Sequence, residues 1–100
     1  MRTNISSIHF KASDSLKSFT EKEVQRLEKL SEDILSCDVE FSYTKTNKVA
    51  HLRVNAGGAV LNASETTDDF KKSIALAVDK IEQQLKKHKG KRLAKRGEAE

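Results

Sequence analysis

The sequence predicts an α+β fold in the order β-α-β-β-β-α, with a four-stranded mixed sheet and two helices packed on one of its faces. Three observations carry this. Residues 37 to 43 and 50 to 56 alternate apolar and polar side chains, the period of a half-buried strand. Two longer stretches, from Leu16 and from Phe70, place apolar residues three to four apart, the period of a helix lying on a core. Polar or glycine-bearing turns at 45–48 and 57–58 separate the strand-like runs.

Residues 4 to 12 form the first strand, anchored by Ile5, Ile8 and Phe10, and Ser13-Asp14 is a helix-start pair. The first helix follows from Asp14 to about Ile34, on a stripe of Leu16, Phe19, Val24, Leu27, Leu30 and Ile34. In the second strand Cys37, Val39, Phe41 and Tyr43 face the core while Asp38, Glu40 and Ser42 face water. After the turn Lys45-Thr46-Asn47-Lys48, the third strand buries Ala50, Leu52, Val54 and Ala56 and exposes His51, Arg53 and Asn55. Gly57-Gly58 supplies the positive φ of a tight hairpin, and a fourth strand from Val60 to Thr66 turns Leu61 and Ala63 inward. Thr67-Asp68 caps a second helix whose stripe is Phe70, Ile74, Ala77, Val78, Ile81 and Leu85, with its end or fraying at Gly90. The helical crossover makes strands one and two parallel, and strands two to four an antiparallel meander.

A chain of 100 residues is one domain at ~100–200 residues each. We divide it into an α/β domain over 1–90 and a basic, frayed tail over 91–100. With no proline and four glycines, collagen-like and linker classes are excluded. One cysteine closes no internal disulfide, and no ~20-residue apolar run is present to span a membrane, so a reducing cytoplasm fits best. The net charge of +4 is uneven. Residues 1–85 hold 12 Lys/Arg against 13 Asp/Glu, and residues 86–100 hold 7 against 2. Such a basic run attracts polyanions, RNA, DNA or an anionic membrane alike, and equally suits a solvated tail.

On the first helix Lys22, Arg26 and Lys29 share one face, and on the second Lys72, Leu76, Lys80, Gln83 and Lys87 form a ridge leading into Lys89, Lys91 and Arg92. Side by side, the two ridges border a groove for a phosphate backbone, unless the neighbouring acids Glu21, Glu28, Glu32, Asp79 and Glu82 simply neutralise them. Catalytic signals are poor. His9, His51 and His88 lack metal-ligand spacing, Cys37 falls in the core, Asp68-Asp69 suits a helix start, and Gly57-Gly58 lacks a phosphate-loop pattern, so we expect no enzyme, cofactor, metal site or small-molecule substrate.

Asn4-Ile5, Arg26-Leu27-Glu28-Lys29, Gly57-Gly58 with Leu61 and Ala63, and Asp69 resemble segments of the ribosome hibernation-promoting factors and the related ribosome-associated inhibitor. The longest match is Asp79-Lys80-Ile81-Glu82-Gln83-Gln84-Leu85-Lys86-Lys87-His88-Lys89-Gly90-Lys91, which is similar to the family's D-K-[LI]-x-R-Q-L-x-K-H-K-x-K. The resemblance covers nearly the whole chain. It implies a non-enzymatic cytoplasmic protein, monomeric off the ribosome, that binds the small ribosomal subunit between head and body. There it overlaps tRNA and mRNA and inhibits translation in slow growth or stress. It implies rRNA contacts at Arg26, Lys80, Lys87, Lys89 and Lys91. Gln83 stands where the family usually has Arg, Glu23 where relatives often have Lys, and Lys71 where an aromatic is usual. Two phosphate contacts are then expected to be missing or relocated to Lys22, Lys29 and Lys72. Ending at residue 100, the chain resembles the short members, which are not expected to dimerise ribosomes unaided.

Two other readings fit the pattern. A double-stranded-RNA-binding domain has a similar α-β-β-β-α core, although its usual Pro and His loop cannot exist in a chain without proline. A protein-interaction module would instead use the wet sheet face of Asp38, Glu40, His51 and Arg53.

Overall fold

The structure, a computed structural model, describes the backbone of residues 2–31 and 33–99 and side chains up to residue 87. It contains β1 (Arg2–Ser7), α1 (Asp14–Leu30), β2 (Ile34–Thr44), β3 (Asn47–Ala56), β4 (Ala59–Thr67) and α2 (Phe70–Ala99). The sheet runs β1-β2-β3-β4, with β1 parallel to β2 and the remaining pairs antiparallel. Both helices cover one face, α2 over β3 and β4 and α1 beside α2 near β2. The predicted fold class is the one observed.

The alternation in β2 and β3 sets this arrangement. Cys37, Val39 and Phe41 pair across the ladder with Val54, Leu52 and Ala50, and all six are buried under the helices. A one-residue slip would turn every one of them to water, which is why the register is firm. Against them pack Val24 and Leu27 of α1 and Ile74, Ala77, Val78 and Ile81 of α2, each fully buried. Gly57 and Gly58, at φ 54° and 87°, close the β3–β4 hairpin, since two positive φ values in a two-residue turn match the twist of the strands.

Several boundaries differ from the sequence expectation. β1 stops at Ser7 rather than reaching residue 12, because His9 turns the chain at φ 65° and swings Phe10 over Phe70, ring centroids 4.9 Å apart. α1 ends at Leu30, with the Ser31 N–H closing on the Leu27 carbonyl at 3.2 Å, so Ile34 is buried as the first residue of β2 and not as the last of the helix. The cap of α2 is Asp69, whose Oδ1 accepts the Lys71 N–H at 3.0 Å and whose carbonyl accepts the Ser73 N–H at 2.9 Å, one residue beyond the expected Thr67-Asp68. α2 runs through Gly90 to Ala99. A single glycine costs a helix only about 1 kcal/mol, and the residues around it are good helix formers. Tyr43 shares the core-facing parity of its strand yet is 50% exposed, since it lies near the end of β2, where its ring meets Phe10 and Phe70 edge-on.

α2 also reaches around the rim of the sheet. Counted from the two-residue turn, Asn62 stands opposite Arg53 in a non-hydrogen-bonded pair, so its carbonyl points away from β3. Gln84 Nε2 donates to that carbonyl at 3.0 Å, and Lys80 Nζ pairs with Glu65 of the same strand at 2.8 Å.

Candidate nucleic-acid interface

The helix pair presents the outward surface on which the candidate residues fall. Lys22, Arg26 and Lys29 of α1 and Lys72, Lys80, Gln83 and Lys87 of α2 are all exposed, because the opposite faces of both helices are taken by the core. Their side chains meet different partners. Among the described residues, no ion pair involves Lys22, Lys29, Lys72 or Lys87, so these ammonium groups stand ready for an external anion. Gln83 adds a neutral amide on the same surface. Lys80 leans to the sheet rim on Glu65. Lys89, Lys91 and Arg92 lie outside the residues whose side chains are described.

Arg26 sits in the seam between the helices. Its Nη1 reaches Glu23 Oε2 at 3.0 Å, and its Nη2 reaches Glu82 Oε2 at 3.0 Å and Asp79 Oδ1 at 3.3 Å. The hydrogen bond to Glu23 is the strongest influence on the guanidinium and raises its pKa above the ordinary value; partial burial opposes this, and Asp79 and Glu82 add to the rise. Lys86 approaches Glu82 from the next turn at 3.7 Å. Helical periodicity identifies which face Arg26 occupies but not that Asp79 and Glu82, more than fifty residues later, converge on it. The only local signal is Glu23, three residues before it.

Two further positions anchor the start of α2, Lys71 to the start of α1 and Ser73 to the sheet. Lys71, standing where an aromatic is usual in the resembling family, donates from Nζ to Ser15 Oγ at 2.8 Å and lies 5.9 Å from the Phe19 ring centroid. Ser73, fully buried, donates to the Lys48 carbonyl at 2.8 Å and contacts Thr67 Oγ1 at 2.7 Å.

The uncovered sheet face is chemically different. Asp38 lies opposite Arg53, and Glu40 opposite His51, so the acids of β2 face the bases of β3 along an open groove. Asn4 Nδ2 holds Asp38 Oδ1 at 2.9 Å. Beneath it, burial pushes the Cys37 thiol up to about 11, with the Asp38 charge acting in the same direction, and a thiol so placed is a poor nucleophile near neutrality. Among the described residues no three His, Cys, Asp or Glu side chains are grouped to hold a metal ion. Nor is any described helix long and apolar enough to cross a membrane.

Residues 3–93 match the family model described as Sigma 54 modulation protein / S30EA ribosomal protein. A ribosome hibernation promoting factor of Azotobacter vinelandii is 30% identical over 93 residues, spanning 93% of this chain and 87% of the relative. A ribosomal subunit interface protein from Coxiella burnetii superposes with a TM-score of 0.82 at 26% identity, over 90% of this chain and 99% of that one. The Protein Y N-terminal domain of Thermus thermophilus superposes with a TM-score of 0.81 at 24% identity, over 88% and 99%, a likeness of fold.

Proposed function

The chain belongs to the Sigma 54 modulation protein / S30EA ribosomal protein family, and from that premise we propose that it is a ribosome hibernation factor that seats its helical face on rRNA of the small subunit. The observation that carries this reading is the set of four exposed ammonium groups, Lys22, Lys29, Lys72 and Lys87, without an internal counter-charge among the described residues. Charges already satisfied within the protein gain little from a phosphate, whereas free ones release condensed counterions from RNA as they bind.

The mechanism is steric and electrostatic and needs no chemical step. The lysines grip phosphates by charge and shape, with Gln83 donating a neutral hydrogen bond; Lys80, already held by Glu65, contributes less, and the basic run Lys89, Lys91 and Arg92 follows Lys87 in the sequence. The packed sheet behind the helices then fills the decoding channel, where tRNA and mRNA would lie. We place this action in the cytoplasm, on a monomer, in slow growth or stress. The rigid backing matters because it is a two-layer body with one continuous core, which holds the lysine rows at fixed spacing.

The test is sedimentation of the purified protein with intact ribosomes through a sucrose cushion at two salt concentrations, with free RNA duplex as competitor. Binding that weakens with salt and resists the duplex supports seating in the subunit, and Lys72→Gln with Lys87→Gln should lower the logarithmic salt slope by roughly 1.4–1.8 for the two contacts. No co-sedimentation at low salt refutes the proposal. Equal competition by duplex favours the general double-stranded-RNA reading instead.

A further inference from the structure

The two lysine rows are separated by a strip of opposite character. Between them lie Glu23, Asp79 and Glu82, with Arg26 and Lys86 as the only cations they engage among the described residues, three negative charges against two positive. A guanidinium has five N–H donors in a planar fork, and here both of its terminal nitrogens are already directed at carboxylates on two helices. A phosphate brought to Arg26 would stand beside all three carboxylates and would have to displace them. Among the described residues, Lys22 and Lys29 on one side, and Lys72 and Lys87 on the other, meet no such competitor.

We propose that Arg26 is a positioning residue that joins α1 to α2, and that the seam it closes excludes phosphate, so that a polyanion is held along two separate lysine tracks rather than in one groove. This rests on the RNA-binding reading above. Arg26 bridges three acids that would otherwise repel one another across the helix pair, and it thereby sets the spacing of the tracks. The spacing selects RNA that offers two phosphate runs at that separation.

The experiment compares the unaltered protein with Lys72→Gln, Arg26→Gln, Arg26→Lys and Glu82→Gln, measuring ribosome affinity against salt and amide hydrogen exchange at 23–30 and 79–86. Lys72→Gln should lower the salt slope by roughly 0.7–0.9 and leave seam exchange unchanged. Arg26→Gln should leave the slope unchanged, weaken binding severalfold and speed seam exchange about tenfold. Arg26→Lys keeps the charge but loses the fork, so it should loosen the seam as Arg26→Gln does, and Glu82→Gln should loosen it too. A slope that falls in Arg26→Gln as in Lys72→Gln, or seam exchange that does not change, overturns the proposal. If the unaltered protein binds no ribosomes, the functional reading fails and the track assignment with it, while the exchange data still decide whether Arg26 joins the helices.

Discussion

Replacing Phe70 by alanine should be among the more damaging single changes in the core, at about 4–5 kcal/mol. The ring is 8% exposed and is met from three directions: it stacks on Phe10 at 4.9 Å and 14°, and meets Phe41 edge-on at 5.3 Å and Tyr43 at 5.2 Å. Phe→Ala substitutions in cores cost about 3–5 kcal/mol, and ring pairs of this geometry add about 0.5–1.5 kcal/mol each beyond the area they bury. The upper part of the range applies because the partners belong to the β1–α1 loop and to β2, which the sheet holds in place, so the site cannot collapse onto the cavity. Domains of this size have about 5–15 kcal/mol in all, and each kcal/mol moves Tm by roughly 4–8 °C, so a fall of about 15–40 °C is expected. Urea unfolding followed by tyrosine fluorescence measures it directly, because the single tyrosine, Tyr43, is part of the cluster and no Trp obscures it. Phe70→Leu, which keeps much of the volume but none of the ring contacts, should cost roughly half as much. A loss below about 2 kcal/mol in Phe70→Ala, or equal losses in the two variants, would refute the reasoning.

Two smaller perturbations probe other parts of the fold. With its thiol held near 11 against an ordinary 9.0, Cys37 should carry about a hundredfold less thiolate than an unfolded thiol at pH 8, and alkylation in native buffer should be slower than in urea by at least that factor. Because the raised value belongs to the folded state, its contribution is intact below pH 9 and is lost as pH rises from 9 to 11, by about 2–3 kcal/mol; unfolding curves that do not shift to lower urea over that window would contradict it. Ser73→Ala removes a buried donor from the Lys48 carbonyl and should cost about 1–3 kcal/mol in the same unfolding assay, whereas a neutral result would show that the carbonyl finds another partner.

Much of the fold was legible because burial leaves a period in the sequence. The parity of Cys37, Val39 and Phe41 fixed both the inner face of β2 and its pairing with β3, and the stripe from Phe70 to Leu85 fixed the buried side of α2. Ile34 shows the limit of that signal. It lies four residues after Leu30 and so continues the helical stripe, but a residue opening a strand can face the same core, and its burial was foreseen while its backbone was not. Phe10 differs from expectation because a positive φ at His9 is not written in the side-chain pattern, and Tyr43 because alternation does not tell where along a strand the covering layer ends. The outward placement of Lys22, Lys29, Lys72 and Lys87 was equally readable from helical period. Which cations are already engaged was not, since Arg26 meets Asp79 and Glu82, and Lys80 meets Glu65, across distances in sequence that no local spacing encodes.

The reach of α2 around β4 has a consequence for how copies of this chain can associate. Open-ended growth of a sheet from molecule to molecule needs two receptive borders, one to offer a strand and one to accept it. With Gln84 occupying the Asn62 carbonyl and Lys80 drawn over Glu65, an incoming strand at β4 would first have to displace both side chains. The border at β1 is left as the receptive one, and joining like to like there closes after two molecules. Any strand pairing between copies at that border would therefore end in pairs rather than propagate into fibres.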